Sequence, residues 1–187
     1  MLLALGGLTY LMVRSDQQKT IGRAKQVILQ EVLNKHKPEV IVEIGTMRHT
    51  ELTEDGLSTP VFVEYALAHN ASFTSVDLNP EATSLAHSLF GGLEGIRILN
   101  EDGEAFLKSF GSMDFLYLDS SNDPQDTYRQ AMAAKHPKVI VIDDCHSYNN
   151  QMPIGKGTLA IPFLLGLGYS LELVDLPYGP KMAVLER

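Results

Sequence analysis

The sequence predicts a doubly wound α/β domain whose mostly parallel sheet finishes in an antiparallel hairpin. Three observations carry this. Five short apolar strand-like runs alternate with helical runs between Val40 and Ile142. Crossovers of that kind are right-handed and place helices on both faces of a parallel sheet. Two further strand-like runs near the carboxyl end are joined by the turn-rich Asp175-Leu176-Pro177-Tyr178-Gly179-Pro180, a connection short enough to force them antiparallel.

The elements follow in order. Ser15 to Lys37 reads as a helix, because Ile21, Ala24, Ile28 and Val32 share one face and Pro38 ends it. Val40-Ile41-Val42-Glu43-Ile44 is a β-branched strand. Pro60 to His69 is helical, with Ser58 or Thr59 available as its cap. Ser72 to Val76 is a strand ending at Asp77, and Pro80 to Phe90 is a helix capped by Asn79. Ile96 to Leu99, Met113 to Leu118 and Val139 to Ile142 are strands, separated by helices over Gly103 to Phe110 and Pro124 to Lys135. Ile161 to Leu167 is a short helix with Pro162 in its first turn, and Ser170 to Val174 and Met182 to Leu185 form the terminal hairpin.

The bulk properties narrow the function classes. The chain has 187 residues, 44% of them hydrophobic and 20% charged, which suits one globular domain with one sizeable core. Residues 1–37 are expected to form an amino-terminal arm and helix packed on a core domain of residues 38–187. The net charge of −8 argues against a nucleic-acid partner. Cys145 is the single cysteine, which rules out an internal disulfide and fits a reducing, cytoplasmic setting. Met1 to Val13 is apolar but too short to span a bilayer, and Arg14 follows it rather than preceding it. No membrane association is therefore expected. The segment reads as a packing arm, a lid or the contact surface of a homodimer.

Doubly wound sheets bind ligands beyond the carboxyl ends of their strands, and the acidic residues of this sequence concentrate there. Gly45, after the first strand, lets the backbone approach a ligand closely. The loop from Gly45 to Leu57 is long and carries Arg48 and His49. These are either solvated side chains or contacts to a substrate or a cofactor carboxylate. Gly45-Thr46-Met47-Arg48-His49-Thr50 keeps only the first glycine of a dinucleotide-binding loop, which weakens a nicotinamide reading. Asp77 is placed to accept both hydroxyls of a ribose, or to cap the helix at Pro80. Asp102 either reads an adenine amino group or caps the helix after it. Asp119, Asp143 and Asp144 end adjacent strands and would converge over one crevice. Such a set suits Mg²⁺ or another hard divalent ion, unless some of these residues cap helices or orient His146. His146 is a candidate general base or a hydrogen-bonded structural group.

With these residues in place, the chain resembles the Rossmann-like class I S-adenosylmethionine-dependent methyltransferases. Val42-Glu43-Ile44-Gly45-Thr46 is similar to the family's first motif, and Gly56-Leu57-Ser58-Thr59 to the end of that motif displaced by an insertion. Ser75-Val76-Asp77 is similar to the ribose-binding motif and Glu101-Asp102-Gly103 to the adenine segment. The resemblance implies a seven-stranded sheet, S-adenosylmethionine as cofactor, and a cofactor site of Glu43, Gly45, Thr46, Gly56, Ser58, Asp77, Leu78 and Asp102. It is closest to small-molecule O-methyltransferases. In their metal-dependent branch, the catechol and caffeoyl-CoA enzymes, Asp119 and Asp143 match metal ligands, and Asp144 stands where an Asn would be. Those enzymes carry a lysine base three residues beyond the first metal Asp, and this chain has Asn122 there. Asp119 and His146 are then the catalytic candidates, and the partner is a small-molecule methyl acceptor. Two rivals stand beside this reading: an NAD(P)-dependent oxidoreductase on the same kind of sheet, and a non-catalytic binding module that retains the fold.

Overall fold

A computed structural model describes the backbone of residues 2–53, 57–148, 152–179 and 181–187, and the side chains of residues 15–53, 57–145, 155–179 and 181–187. The elements are α1 (Leu2–His36), β1 (Val40–Ile44), α2 (Ser58–His69), β2 (Ser72–Asp77), α3 (Pro80–Phe90), β3 (Ile96–Asn100), α4 (Gly103–Ser109), β4 (Phe115–Leu118), α5 (Pro124–Ala133), β5 (Val139–Ile142), β6 (Cys145–Tyr148), β7 (Met152–Gly155), α6 (Gly157–Gly166), β8 (Ser170–Asp175) and β9 (Lys181–Glu186).

Seven strands form one sheet in the order β3-β2-β1-β4-β5-β9-β8. The first five are mutually parallel, and β9 lies antiparallel to both β5 and β8. The order reverses between β1 and β4, which sets the switch point at the carboxyl ends of those two strands. The predicted fold class is therefore observed, terminal hairpin included.

The strands are apolar on both faces because both faces are covered. Ile41, Phe73, Phe115, Tyr117, Val139, Val141 and Val184 pack toward α1 and α2, around the ring of Phe62. Val42, Ile44, Leu116, Leu118, Ile140, Ile142 and Leu185 pack toward α4, α5 and α6. On α1 the buried side chains are Ile21, Lys25, Leu29, Val32 and Leu33, whereas Ala24 and Ile28 of the predicted face are only partly buried, so the stripe is shifted by one residue in its middle.

Four local features differ from the sequence reading. The first helix begins at Leu2 rather than Ser15 and stops at His36, because Lys37 turns left-handed at φ 47° just before Pro38. No proline interrupts the residues before Ser15, so the chain can stay helical there. The second helix is preceded by Leu57 at φ 49° with no side-chain cap; the hydroxyls of Ser58 and Thr59 turn inward to Glu43 instead. Beyond β5 the chain does not run straight to a helix but doubles back as an antiparallel hairpin, β6 with β7, pairing His146 with Ile154. Finally, α6 starts at Gly157, directly after that hairpin, which leaves Pro162 inside the helix rather than in its first turn.

Candidate functional site

The parallel strands deliver Gly45, Asp77, Asn100, Asp119 and Asp143 to one edge of the sheet. Two adjoining cavities lie along it. One of about 170 Å³ is lined by Val76, Asp77, Leu78, Asp102, Gly103 and Arg129 among others. One of about 490 Å³ is lined by Thr46, Arg48, His49, Asp119, Asn122, Asp144 and Lys156 among others. Gly45, Ser120 and Ser121 line both. At Gly45 the φ of 97° and a virtual Cβ only 2.4 Å from the Asp119 carbonyl oxygen admit glycine alone. The close approach it permits is between β1 and β4, and this brings the two cavities to a common border.

On the smaller-cavity side the acids are held by backbone donors. Asp77 accepts the Thr46 N–H at 3.0 Å and the Asn79 N–H at 2.8 Å. Two carboxylate oxygens with one donor each retain acceptor capacity toward the cavity. Asp102 caps α4 by accepting the Ala105 N–H at 2.8 Å through Oδ1, while still lining the cavity. Cap and ligand contact, the alternatives for Asp102, are therefore compatible. Asn79 caps α3 as expected, accepting from Glu81 and Ala82. Leu78 is 66% exposed at the cavity wall and adds an apolar surface beside Ile44 and Val76.

Glu43 lies beneath the border, fully buried. Ser58 and Ser75 each donate to it at 2.6 Å and Thr59 at 2.8 Å. Burial pushes its carboxyl up to about 7, against the opposing pull of the three hydroxyl donors. The carboxylate ties β1 to β2 and to the start of α2. Thr46 joins the same network, its hydroxyl 3.3 Å from that of Thr59, while the Met47 N–H donates to Thr59 at 3.0 Å.

On the larger-cavity side the acids are held by ammonium groups. Asp119, Asp143 and Asp144 converge as predicted, with one carboxylate oxygen from each lying within 4.8 Å of the others. Lys25, from α1, donates to Asp143 at 2.7 Å and to Asp144 at 3.3 Å, and is only 2% exposed. Lys156, between β7 and α6, donates to Asp119 and lies 3.2 Å from Asp144. The Tyr117 hydroxyl donates to Asp143 at 2.8 Å.

These contacts set the charge states. Burial works against both ammoniums, but the facing carboxylates outweigh it and hold Lys25 and Lys156 above the ordinary lysine range. Asp144 is held below the usual carboxylate range, because the two lysines overcome the effect of its burial. Asp119 is pushed up, first by burial and then by the charge of Asp143, with Lys156 opposing.

Two ammoniums compete with a divalent ion for these oxygens. A metal among these oxygens would sit beside two ammoniums. A double and a single positive charge about 4 Å apart repel by roughly 8 kcal/mol at an effective dielectric of 20.

Of the predicted site residues, Asp119, Asp143 and Asp144 come together around the lysines. Gly45, Thr46, Asp77, Leu78 and Asp102 line the two cavities. Ser58 lines the larger cavity and also holds Glu43, which lies under the site rather than in it. Gly56 and the side chain of His146 lie outside the described residues. Sequence reasoning missed Lys25 and Lys156. Lys25 had a signal: it sits four residues from both Ile21 and Leu29, on the apolar stripe of α1, where an unpaired lysine would be costly. Lys156 had only its two flanking glycines.

No protein-family model and no curated protein matches the sequence. Solved structures share its fold. The S-adenosylhomocysteine-bound methyltransferase from Podospora anserina superposes with a TM-score of 0.60 at 17% identity, over 88% of this chain and 78% of that one. The N-methyltransferase NodS from Bradyrhizobium japonicum gives 0.57 at 11% identity, over 88% and 94%. Fibrillarin from Aeropyrum pernix, solved with natively bound S-adenosyl-L-methionine, gives 0.59 at 12% identity, over 79% and 66%. The chain thus has the class I methyltransferase fold. Among the described residues no helix is long and apolar enough to cross a membrane.

Proposed function

We propose that this chain transfers the methyl group of S-adenosylmethionine to an oxygen of a small molecule. The observation that carries the proposal is the pair of adjoining cavities at the switch point, with the Asp77 carboxylate facing the smaller one. In this reading the ribose hydroxyls are accepted by Asp77, the adenine packs on Leu78 and lies near Asp102, and the methionine part passes Gly45 and Thr46 into the larger cavity. The bound cofactor supplies an electrophilic methyl group on a sulfonium, and the chain supplies alignment. The larger cavity receives the acceptor, with Asp119 and Lys156 at its wall. The larger cavity is lined mainly by polar side chains, which suits a hydrophilic acceptor. Asn122 cannot take a proton, so His146, which follows the acid cluster on β6, is the proposed base. Residues 1–37 serve as an arm and helix on the cofactor-binding body of residues 38–187, with the apolar first 13 residues as the surface for a second copy.

The strand order favours this reading over nicotinamide chemistry. Dinucleotide sheets run 3-2-1-4-5-6, whereas here the strand beside β5 is antiparallel. Calorimetric titration separates the readings. S-adenosylmethionine and S-adenosylhomocysteine are expected to bind one to one and NADH not at all; tight NADH binding without either of the others overturns the proposal. Transfer of a labelled methyl group to hydroxylated acceptors then distinguishes an enzyme from a binding module.

A further inference from the structure

We propose that Lys156 fills the cation position of the strand-end acid cluster, so that the larger cavity presents a fixed ammonium in place of an exchangeable metal ion. Three carboxylates from two adjacent strand ends lie close enough to share one cation. Left alone, they would repel one another and recruit a divalent ion from solution. They are not left alone. Lys25 enters from α1 and binds Asp143 and Asp144 from within the protein. Lys156 enters from the other side, between the small hairpin and α6, and binds Asp119 and Asp144. Both lysine side chains are nearly inaccessible, at 3% and 5% exposure, so neither is a surface ion pair that solvent can readily exchange.

The two lysines have different outlooks. Lys25 lies behind the acids, in the packing of α1. Lys156 borders the 490 Å³ cavity. Among the described residues its ammonium meets only Asp119 and Asp144, which leaves a third N–H to serve a molecule in the cavity. An ammonium held this way offers a hydrogen bond and a positive charge at one fixed place. Unlike a metal, it contributes no open coordination positions and so cannot chelate two oxygens of a ligand. The consequence for substrate rests on the methyl-transfer reading: a single acidic oxygen, such as a phenolate or a carboxylate, matches Lys156, and a vicinal diol has no advantage.

The test uses Mn²⁺ as the probe, followed by electron paramagnetic resonance on the full-length protein. The wild-type chain is expected to leave the free-ion signal undiminished. Lys156→Met removes the charge but keeps most of the length of the side chain, and it is expected to gain one Mn²⁺ site at least tenfold tighter than any in the wild type. Its melting temperature should then rise with added Mn²⁺, while that of the wild type stays fixed. Adding Asp119→Asn to Lys156→Met should abolish the new site. The inference is overturned if the wild type binds one equivalent of Mn²⁺ in a manner sensitive to Asp119→Asn. It is equally overturned if folded Lys156→Met and Lys156→Gln both bind none, or if the gained site survives Asp119→Asn. If neither lysine variant folds, the wild-type and Asp119→Asn titrations still decide. Cofactor titration reads the smaller cavity and Mn²⁺ binding reads the acid cluster, so either proposal can fail while the other stands.

Discussion

The two sides of the sheet edge are both acidic, yet their acids are satisfied in opposite ways. Around Asp77 and Asp102 the donors are backbone N–H groups, and the carboxylates remain at the cavity wall. Around Asp119, Asp143 and Asp144 the donors are chiefly lysine side chains, and much of the cluster is withdrawn from water. Backbone donors leave a negative charge in place for a ligand to meet. Side-chain ammoniums cancel most of it and present a positive group instead. One edge thus offers an anion on its left and a cation on its right, with Gly45 at the border.

The sharpest way to break this contrast is Lys25→Met. It strands Asp143, which is fully buried, and should cost about 3–5 kcal/mol. A drop in melting temperature of about 10 °C in calorimetry is expected; an unchanged temperature would show that the buried pair contributes nothing. Glu43, between the two sides, sharpens the contrast through pH. Its carboxyl is raised from 4.5 to about 7, so the folded state keeps a proton that the unfolded chain has released. Its contribution to stability therefore falls as pH climbs from about 4.5 to 7 and levels off above, by roughly 3 kcal/mol in all. Urea midpoints at pH 5 and pH 7.5 should show this decline in the wild type and a flatter profile in Glu43→Gln.

On the backbone-held side, effects should appear in binding more than in folding. Asp77→Asn is expected to weaken S-adenosylmethionine at least tenfold by calorimetry, since hydrogen bonds to a charged acceptor contribute about 1.5–3 kcal/mol. Its melting temperature should fall by only a few degrees, in contrast to Lys25→Met. The smallest effect belongs to Asn79→Ala, which removes the cap of α3 for about 1 kcal/mol. Thermal unfolding should register it as a shift of about 2–4 °C.

What could be read in the sequence follows the same division. The strands, their order of appearance and the acids at their ends are local signals: β-branched runs, turn residues, a cap before Pro80. All of these survived in the structure. The lysines were hidden because their partners are far away in sequence. Lys25 meets Asp143 across 118 positions, and Lys156 meets Asp119 across 37. Local periodicity carries no record of such pairings. The small hairpin was missed for a related reason. Cys145-His146-Ser147-Tyr148 has no strict alternation, and its pairing depends on Met152 to Gly155 returning beside it. Ser58 and Thr59 looked like helix caps because capping is what such residues do at a helix start. The buried Glu43 carboxylate proved the stronger acceptor.

The contact between Lys25 and Asp143 also bears on how the chain comes apart. A helix packed on one face of a sheet would ordinarily open locally and detach without disturbing the sheet. Here its detachment would tear a cation from the middle of the binding edge and leave an acid stranded in the interior. Opening of the helix and loss of the edge should therefore occur as one event, with amide protons around Lys25 and along β5 exchanging at a common rate.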